Sequence, residues 1–210
     1  MFTFADFENI IFKKKKYNTS AVEVGVNRNK ENFMNAIVVY KTKYGSTKTY
    51  AEWIAEELGC KAVNAKEIKV QDLLGYDTII YGGGLYAEVI NGASLITKNL
   101  DILSGKKLII YSTGITPLDC RDYYDTYVLK KNFKEEGMLE KIKVFNFLGK
   151  MKTEELSLVH RTALKALKKI MSSKENPSEM EKLLVELCDA DGDFSDRCAI
   201  AELVEYAKAE

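Results

Sequence analysis

The chain has 210 residues, 46% of them apolar, with 31 basic and 31 acidic side chains. That length fits one domain with a well-buried core, or one domain carrying an insertion, and the balanced charge argues against nucleic acid as the main partner. Four scattered cysteines without a CxxC pair and a single His160 offer no zinc cluster and read as reduced thiols in a cytoplasmic protein.

Residues 1–33 differ from the rest. They carry Lys13-Lys14-Lys15-Lys16 and a polar stretch ending at Phe33, with no sustained period of 2 or 3.6. They read as a disordered basic leader before a domain at 34–210. The run Lys30-Glu31-Asn32-Phe33-Met34 can be encoded by a purine-rich ribosome-binding sequence spaced before a start codon, so translation is expected to start at Met34. The opening residues lack the pattern of a secretory signal. No apolar run is long enough for a transmembrane segment.

Ala36-Ile37-Val38-Val39-Tyr40-Lys41 is a β-branched run of the kind buried on both faces of a parallel sheet. The polar turn Thr42-Lys43-Tyr44-Gly45-Ser46-Thr47 follows. A helix then places Tyr50, Ala51, Ile54, Ala55 and Leu58 on one stripe, with Gly59 as its stop. A short second strand is expected over 60–64, a brief helical segment over 70–74 and a third strand over 77–81. Gly82-Gly83-Gly84 is expected to end that strand. A helix is expected over 92–103, a fourth strand over 107–111, and a loop over 112–118. Asp119 is placed to cap a helix reaching Phe133. The fifth strand is expected over 143–148, and a last helix from Ser195 carries Ala199, Leu203, Val204 and Ala207 inward.

Strands alternating with helices imply a parallel sheet covered on both faces. Ligands of such sheets sit beyond the carboxyl ends of the strands, here at the loops after strands one, three and four. Residues 149–193 do not fit the repeat and read as a helical insertion. There Leu156, Val159, Ala163, Leu164, Leu167 and Ile170 form an apolar stripe opposite Arg161, Lys165, Lys168 and Lys169. Pro177 is expected to open a second short helix through Cys188. His160 reads as a boundary histidine rather than a catalytic base.

The first loop joins a buried strand to a helix start, where free N–H groups and the helix dipole favour an anion. Thr42, Ser46 and Thr47 add hydroxyl donors, and Gly45 lets the backbone approach closely. Together they suit a phosphate monoester. The alternative is an ordinary capped turn. GxxxxGK[ST] and GxGxxG are both absent. Lys41, Thr42 and Lys43 stand where a phospho-acceptor receiver domain would need acids.

Tyr40-Lys41-Thr42-Lys43-Tyr44-Gly45-Ser46-Thr47 resembles the phosphate-binding loop of flavodoxins. The chain from Met34 onward is similar to the flavodoxin-domain proteins that include bacterial quinone-dependent protoporphyrinogen IX dehydrogenase. The resemblance implies an α/β flavodoxin-like three-layer sandwich, with a five-stranded parallel sheet in the order 2-1-3-4-5 and FMN as cofactor. Carried over by position, Thr42, Tyr44, Gly45, Ser46 and Thr47 hold the phosphate. Gly83, Gly84, Leu85, Tyr86 and Ala87 line one side of the ring, with Tyr86 stacking on it, and Thr113, Gly114 and Ile115 line the other. No catalytic residue and no metal ligand is assigned.

The function implied is FMN-dependent electron carriage or a small oxidoreductase reaction, with a redox partner protein or a quinone. The alternative within the family is quinone-dependent oxidation of protoporphyrinogen. The basic face of the insertion reads as a solvated surface; the sharper reading is peripheral docking to an acidic partner or an anionic membrane. Three departures support another class, a flavin-free interaction module of the same fold. Tyr44 replaces a hydroxyl residue, Lys43 charges a normally neutral loop, and the second loop lacks a tryptophan, Trp53 lying in the first helix.

Overall fold

The computed structural model describes residues 34–209. The expected leader, 1–33, lies outside the described residues, as does the junction from Phe33 to Met34. In chain order the strands are β1 (Ala36–Lys41), β2 (Lys61–Asn64), β3 (Thr78–Tyr86), β4 (Val89–Ile90), β5 (Lys107–Gly114), β6 (Ile142–Leu148), β7 (Lys150–Met151) and β8 (Gly192–Asp193). Five of them form a parallel sheet in the order β2-β1-β3-β5-β6. Leaving out the short β4, which folds back antiparallel on the end of β3, this is the expected order 2-1-3-4-5.

Among the described residues four regular helices reach eight residues or more: α1 (Ser46–Leu58), α2 (Leu158–Ser172), α3 (Glu179–Leu187) and α4 (Ala201–Lys208). Alternate side chains of each central strand go to opposite faces. Val38, Ile80 and Ile109 pack with Tyr50, Ala51 and Ile54 of α1 and Leu203 and Ala207 of α4. Ile37, Val39, Ile79 and Ile110 pack with Leu73, Ile96, Leu103 and Val128 on the other face. Because both faces are covered, the strands read as continuous apolar runs. Helix α1 stops at Gly59, whose left-handed φ of 61° lets Cys60 N–H return to the Ala55 carbonyl.

The structure corrects several expectations. β3 does not end at the glycines; it runs through them to Tyr86, with Gly82, Gly83 and Gly84 paired to Tyr111, Ser112 and Thr113 of β5. A methyl group at Gly82 would overlap the Tyr111 ring, so the glycine makes room for a buried aromatic. β5 likewise continues to Gly114. The helix expected over 92–103 is a single turn, Ser94–Thr97. At Asn99 the ladder is left: its N–H turns to the Ile96 carbonyl, while its side-chain amide bonds the Leu95 carbonyl that the helical N–H would use.

The helix leading to Phe133 contains a π-helical stretch, Tyr123–Val128, and no side-chain cap from Asp119 is formed. Helix α3 starts at Glu179, because Ser178 and Glu181 form a reciprocal capping box two residues after the expected position. The last helix is preceded by a 3₁₀ turn, Arg197–Ile200. In α2 the apolar stripe is rotated from the expected one: Val159 and Ile170 are exposed, and Leu164 packs inward with Met151, Leu156 and Ala190.

Candidate functional site

The loop after β1 turns at Gly45, which has a φ of +99°. The Gly45 N–H donates to Thr42 Oγ1 at 2.9 Å and closes the turn. The Gly45 carbonyl accepts from Lys48 N–H at 2.9 Å and Thr49 N–H at 3.1 Å. The N–H groups of Ser46 and Thr47, at the positive end of α1, have no acceptor among the described residues. Thr42 Oγ1 uses a lone pair on Gly45, and Ser46 Oγ uses one on Lys150 N–H at 2.9 Å. Both hydroxyl protons stay free to donate. Thr47 Oγ1 lies 2.7 Å from Thr113 Oγ1 in a buried pair, which ties the first loop to the end of β5. Tyr111 adds a second tie, its hydroxyl donating to the Thr47 carbonyl at 2.8 Å.

The segment after β3 is a hairpin. Leu85 pairs with Ile90 and Tyr86 with Val89, and the turn residues Ala87 and Glu88 have φ of 46° and 66°. This is the left-handed turn that matches strand twist, made here without glycine. The irregular helix holds it in place. The Asn132 side chain accepts from Ile90 N–H at 2.8 Å and donates to the Glu88 carbonyl at 2.6 Å, and Lys131 pairs with the Glu88 carboxylate at 2.8 Å. Gly83 lets the hairpin fold back, since a methyl there would meet the Asn91 carbonyl at 2.7 Å. Gly84 leaves room for the Tyr86 ring, which lies back over it, and a methyl at Gly114 would meet Leu85 at 3.4 Å.

The segment 149–193 closes over these loops. Gly149 N–H donates to the Gly114 carbonyl at 2.7 Å. Ser157 caps α2 and receives Lys43 Nζ at 3.1 Å. His160 Nδ1 lies 2.8 Å from the Tyr44 hydroxyl, and Lys43 Nζ lies 3.4 Å from His160 Nε2. An ammonium can only donate, so Nε2 accepts and the network assigns the ring proton to Nδ1. Tyr86 completes the group, with its ring centroid 5.2 Å from His160 and 6.3 Å from Tyr44.

This network biases protonation. Burial and then the Lys43 charge hold His160 below its usual value. Burial works to raise the Tyr44 phenol, but hydrogen bonds from Ser157 and the Lys43 charge outweigh it and lower it. Burial, with the neighbouring Tyr44, pushes Tyr86 up to about 12.

The three expected loops thus meet at one end of the sheet. Thr42, Tyr44, Gly45, Ser46 and Thr47 come together with Thr113 and Gly114. Gly83, Gly84, Leu85, Tyr86 and Ala87 form the hairpin beside them. Ile115 sits under the insertion with Tyr44, Leu164 and Phe194. No local pattern marks Asn132, Lys150 and Ser157, whose bonds to these loops each span at least 40 residues of sequence. A cavity of about 390 Å³ lined by Phe133, Glu136 and Leu139 includes none of these loop residues. Among the described residues no cluster of three or more His, Cys, Asp or Glu side chains could hold a metal, and no helix is long and apolar enough to cross a membrane.

A family model described as a flavodoxin domain matches residues 37–179. No curated protein matches the chain. Similar solved structures include a flavodoxin from the domain Archaea, at 13% identity over 83% of this chain and 99% of that one, with a TM-score of 0.38. A Fusobacterium nucleatum flavodoxin mutant bound to flavin mononucleotide is 22% identical over 59% of this chain and 74% of its own, with a TM-score of 0.34. Rubredoxin oxygen:oxidoreductase from Desulfovibrio gigas is 14% identical over 84% of this chain and 38% of its own, with a TM-score of 0.40.

Proposed function

We propose that this chain, which belongs to the flavodoxin-domain family, is an FMN-dependent electron carrier whose cofactor is held by the loops after β1, β3 and β5. The phosphate end carries the proposal. Gly45 leaves an open cradle in which, among the described residues beyond its chain neighbours, only Lys150 stands within 4 Å of an added methyl. Around it are the free N–H groups of Ser46 and Thr47 and the unspent hydroxyl protons of Thr42 and Ser46. Short, fixed donors at a helix N-terminus suit a dianionic ester. When bound, FMN supplies the redox chemistry.

The protein's part is to fix and shield. Thr113 holds Thr47 in place, Tyr111 holds its carbonyl, and Asn132 fixes the hairpin that carries Tyr86. Tyr86 and Tyr44 offer aromatic surface to a flat ring. Lys131 neutralises Glu88, so that acid adds little negative potential beside the site. The four cysteines are unpaired, in keeping with work in the reducing cytoplasm. A partner protein is the preferred electron acceptor or donor; protoporphyrinogen oxidation with quinone is the finer alternative.

One observation favours a second reading. Tyr86 lies back over Gly84 and its ring packs 5.2 Å from His160 of the insertion, so the ring expected to stack on a flavin is engaged within the protein, as in a flavin-free interaction module. The visible spectrum of the purified protein, followed by titration with FMN, separates the two. A yellow protein, or one that quenches added FMN stoichiometrically, upholds the cofactor reading; colourless material that ignores excess FMN overturns it. Turnover of protoporphyrinogen with menaquinone by the loaded protein would move the role from carrier to enzyme.

A further inference from the structure

The ammonium of Lys150 stands over the first loop although its residue lies 105 positions further along the chain. Three contacts put it there. Gly149 presses its backbone against Ser46, where a methyl group would come within 3.0 Å of Oγ. Lys150 N–H then donates to the same Ser46 Oγ at 2.9 Å. From that anchored backbone the side chain turns back, and Cε and Nζ lie 3.6 and 3.8 Å from the position of a Gly45 Cβ. The lysine therefore overhangs the N-terminus of α1.

That placement has the wrong sign for a helix by itself. The N-terminus carries partial positive charge and favours anions, and Lys43 adds a second ammonium to the same loop. The carboxylate at hand is Glu155, whose Oε2 lies 3.0 Å from Lys150 Nζ; its other oxygen lies 3.9 Å from Lys152. Glu155 is reached from Lys150 across a 3₁₀ turn, Thr153–Glu155, so the pair can separate without disturbing the sheet.

We propose that Lys150 is a phosphate ligand supplied from outside the loop, and that Glu155 competes with the phosphate for it. The inference rests on the FMN reading above and goes beyond the neutral donors of the loop itself. A dianionic monoester at Gly45 draws the ammonium from Glu155, and the site thereby selects phosphorylated flavin over riboflavin by charge. Glu155 keeps the lysine neutralised otherwise and weakens binding by its own negative charge.

Binding titrations of FMN and riboflavin, read by flavin fluorescence, test this with two variants of opposite sign. Lys150→Met keeps the aliphatic stem and removes the charge. It is expected to raise the FMN dissociation constant tenfold or more, to leave riboflavin binding within twofold, and to flatten the salt dependence of FMN binding. Glu155→Gln is expected to lower the FMN dissociation constant several-fold, again without effect on riboflavin. FMN binding unchanged in Lys150→Met, or weakened equally with riboflavin, overturns the assignment of Lys150. FMN binding unchanged or weakened in Glu155→Gln overturns the competition. A wild-type protein that binds no FMN overturns the cofactor reading and this inference with it, whereas wild-type binding combined with an indifferent Lys150→Met overturns this inference alone.

Discussion

The Tyr44 hydroxyl lies 2.8 Å from His160 Nδ1, and through this contact the loop after β1 is tied to helix α2, 116 residues further along the chain. Tyr44 stands where the flavodoxin pattern places a small hydroxyl residue. Its ring reaches away from the Gly45 turn to the insertion, so the departure in sequence has a structural partner. The same histidine faces the Lys43 ammonium across Nε2, the Tyr86 ring on one side and Ser157 at the helix start.

This arrangement makes the tie pH-dependent. Burial and then the Lys43 charge hold the native His160 value below the ordinary imidazole value of about 6.5. The unfolded chain therefore binds the proton more readily than the folded one. Stability from the neutral ring is present above pH 6.5 and is lost as pH falls through the lower native value. Protonation would also set a second cation against Lys43. Wild-type protein should therefore lose melting temperature on acidification faster than His160→Gln, and the two curves should run parallel above pH 6.5. Parallel curves throughout would show that the ring does not titrate against this network.

Gly82 and Tyr111 form a complementary pair across β3 and β5. Gly82→Ala drives a methyl into a fully buried ring and should cost about 1–3 kcal/mol by overpacking. Tyr111→Phe should cost about 1–3 kcal/mol, because the buried Thr47 carbonyl loses its donor. Replacing the ring in Gly82→Ala/Tyr111→Leu should restore part of the loss at Gly82, giving a coupling that urea denaturation of wild type, Gly82→Ala, Tyr111→Leu and the double variant can read. Simple additivity would mean that the two sites do not share the space.

The hairpin after β3 is strained at its turn and held from outside. Left-handed φ at a non-glycine residue costs roughly 1–2 kcal/mol, and glycine returns roughly 0.5–1 kcal/mol of that as lost chain entropy. Ala87→Gly should therefore stabilise the protein by about 0.5–1 kcal/mol. Asn132→Ala should do the reverse by about 1–3 kcal/mol, since it orphans the Ile90 N–H and the Glu88 carbonyl. Hydrogen exchange at Ile90 should then quicken more than exchange at Val38 in the sheet centre. Equal acceleration at both would point to global destabilisation instead of a released hairpin.

Much of the sheet was legible because its strands are buried on both faces: Ala36 to Val39 and Thr78 to Tyr81 are all buried, and no polar alternation interrupts them. The extension of β3 through three glycines was not legible. Glycine disfavours strands by propensity, and the reasons for these lie elsewhere in the chain: the Tyr111 ring 29 positions after Gly82, Asn91 against Gly83 and the Tyr86 ring against Gly84. The helix at 158–172 was readable from its period, yet its rotation was not. Period 3.6 marks a face, and only the partners Met151, Leu156 and Ala190 decide that Leu164 turns inward while Val159 does not. The first loop was readable because all its donors are contiguous. Lys150, Ser157 and Asn132 act on those loops from far along the chain, where no local pattern marks them.

The donors of that loop differ in what else depends on them, which separates binding from folding. Ser46→Ala removes a hydroxyl whose proton is free and whose lone pair serves only Lys150 N–H. It should weaken FMN binding by about 1–2 kcal/mol, the scale of one charge-assisted hydrogen bond, with a smaller change in stability. Thr47→Val keeps the shape but breaks the buried pair with Thr113 Oγ1, so it should lower stability by about 1–3 kcal/mol even without cofactor. Parallel FMN titration and thermal melts of the two variants give the comparison. A Ser46→Ala protein that binds FMN as tightly as wild type would reduce the loop to an ordinary helix start, because a phosphate seated at Gly45 has no means of ignoring the nearest free hydroxyl.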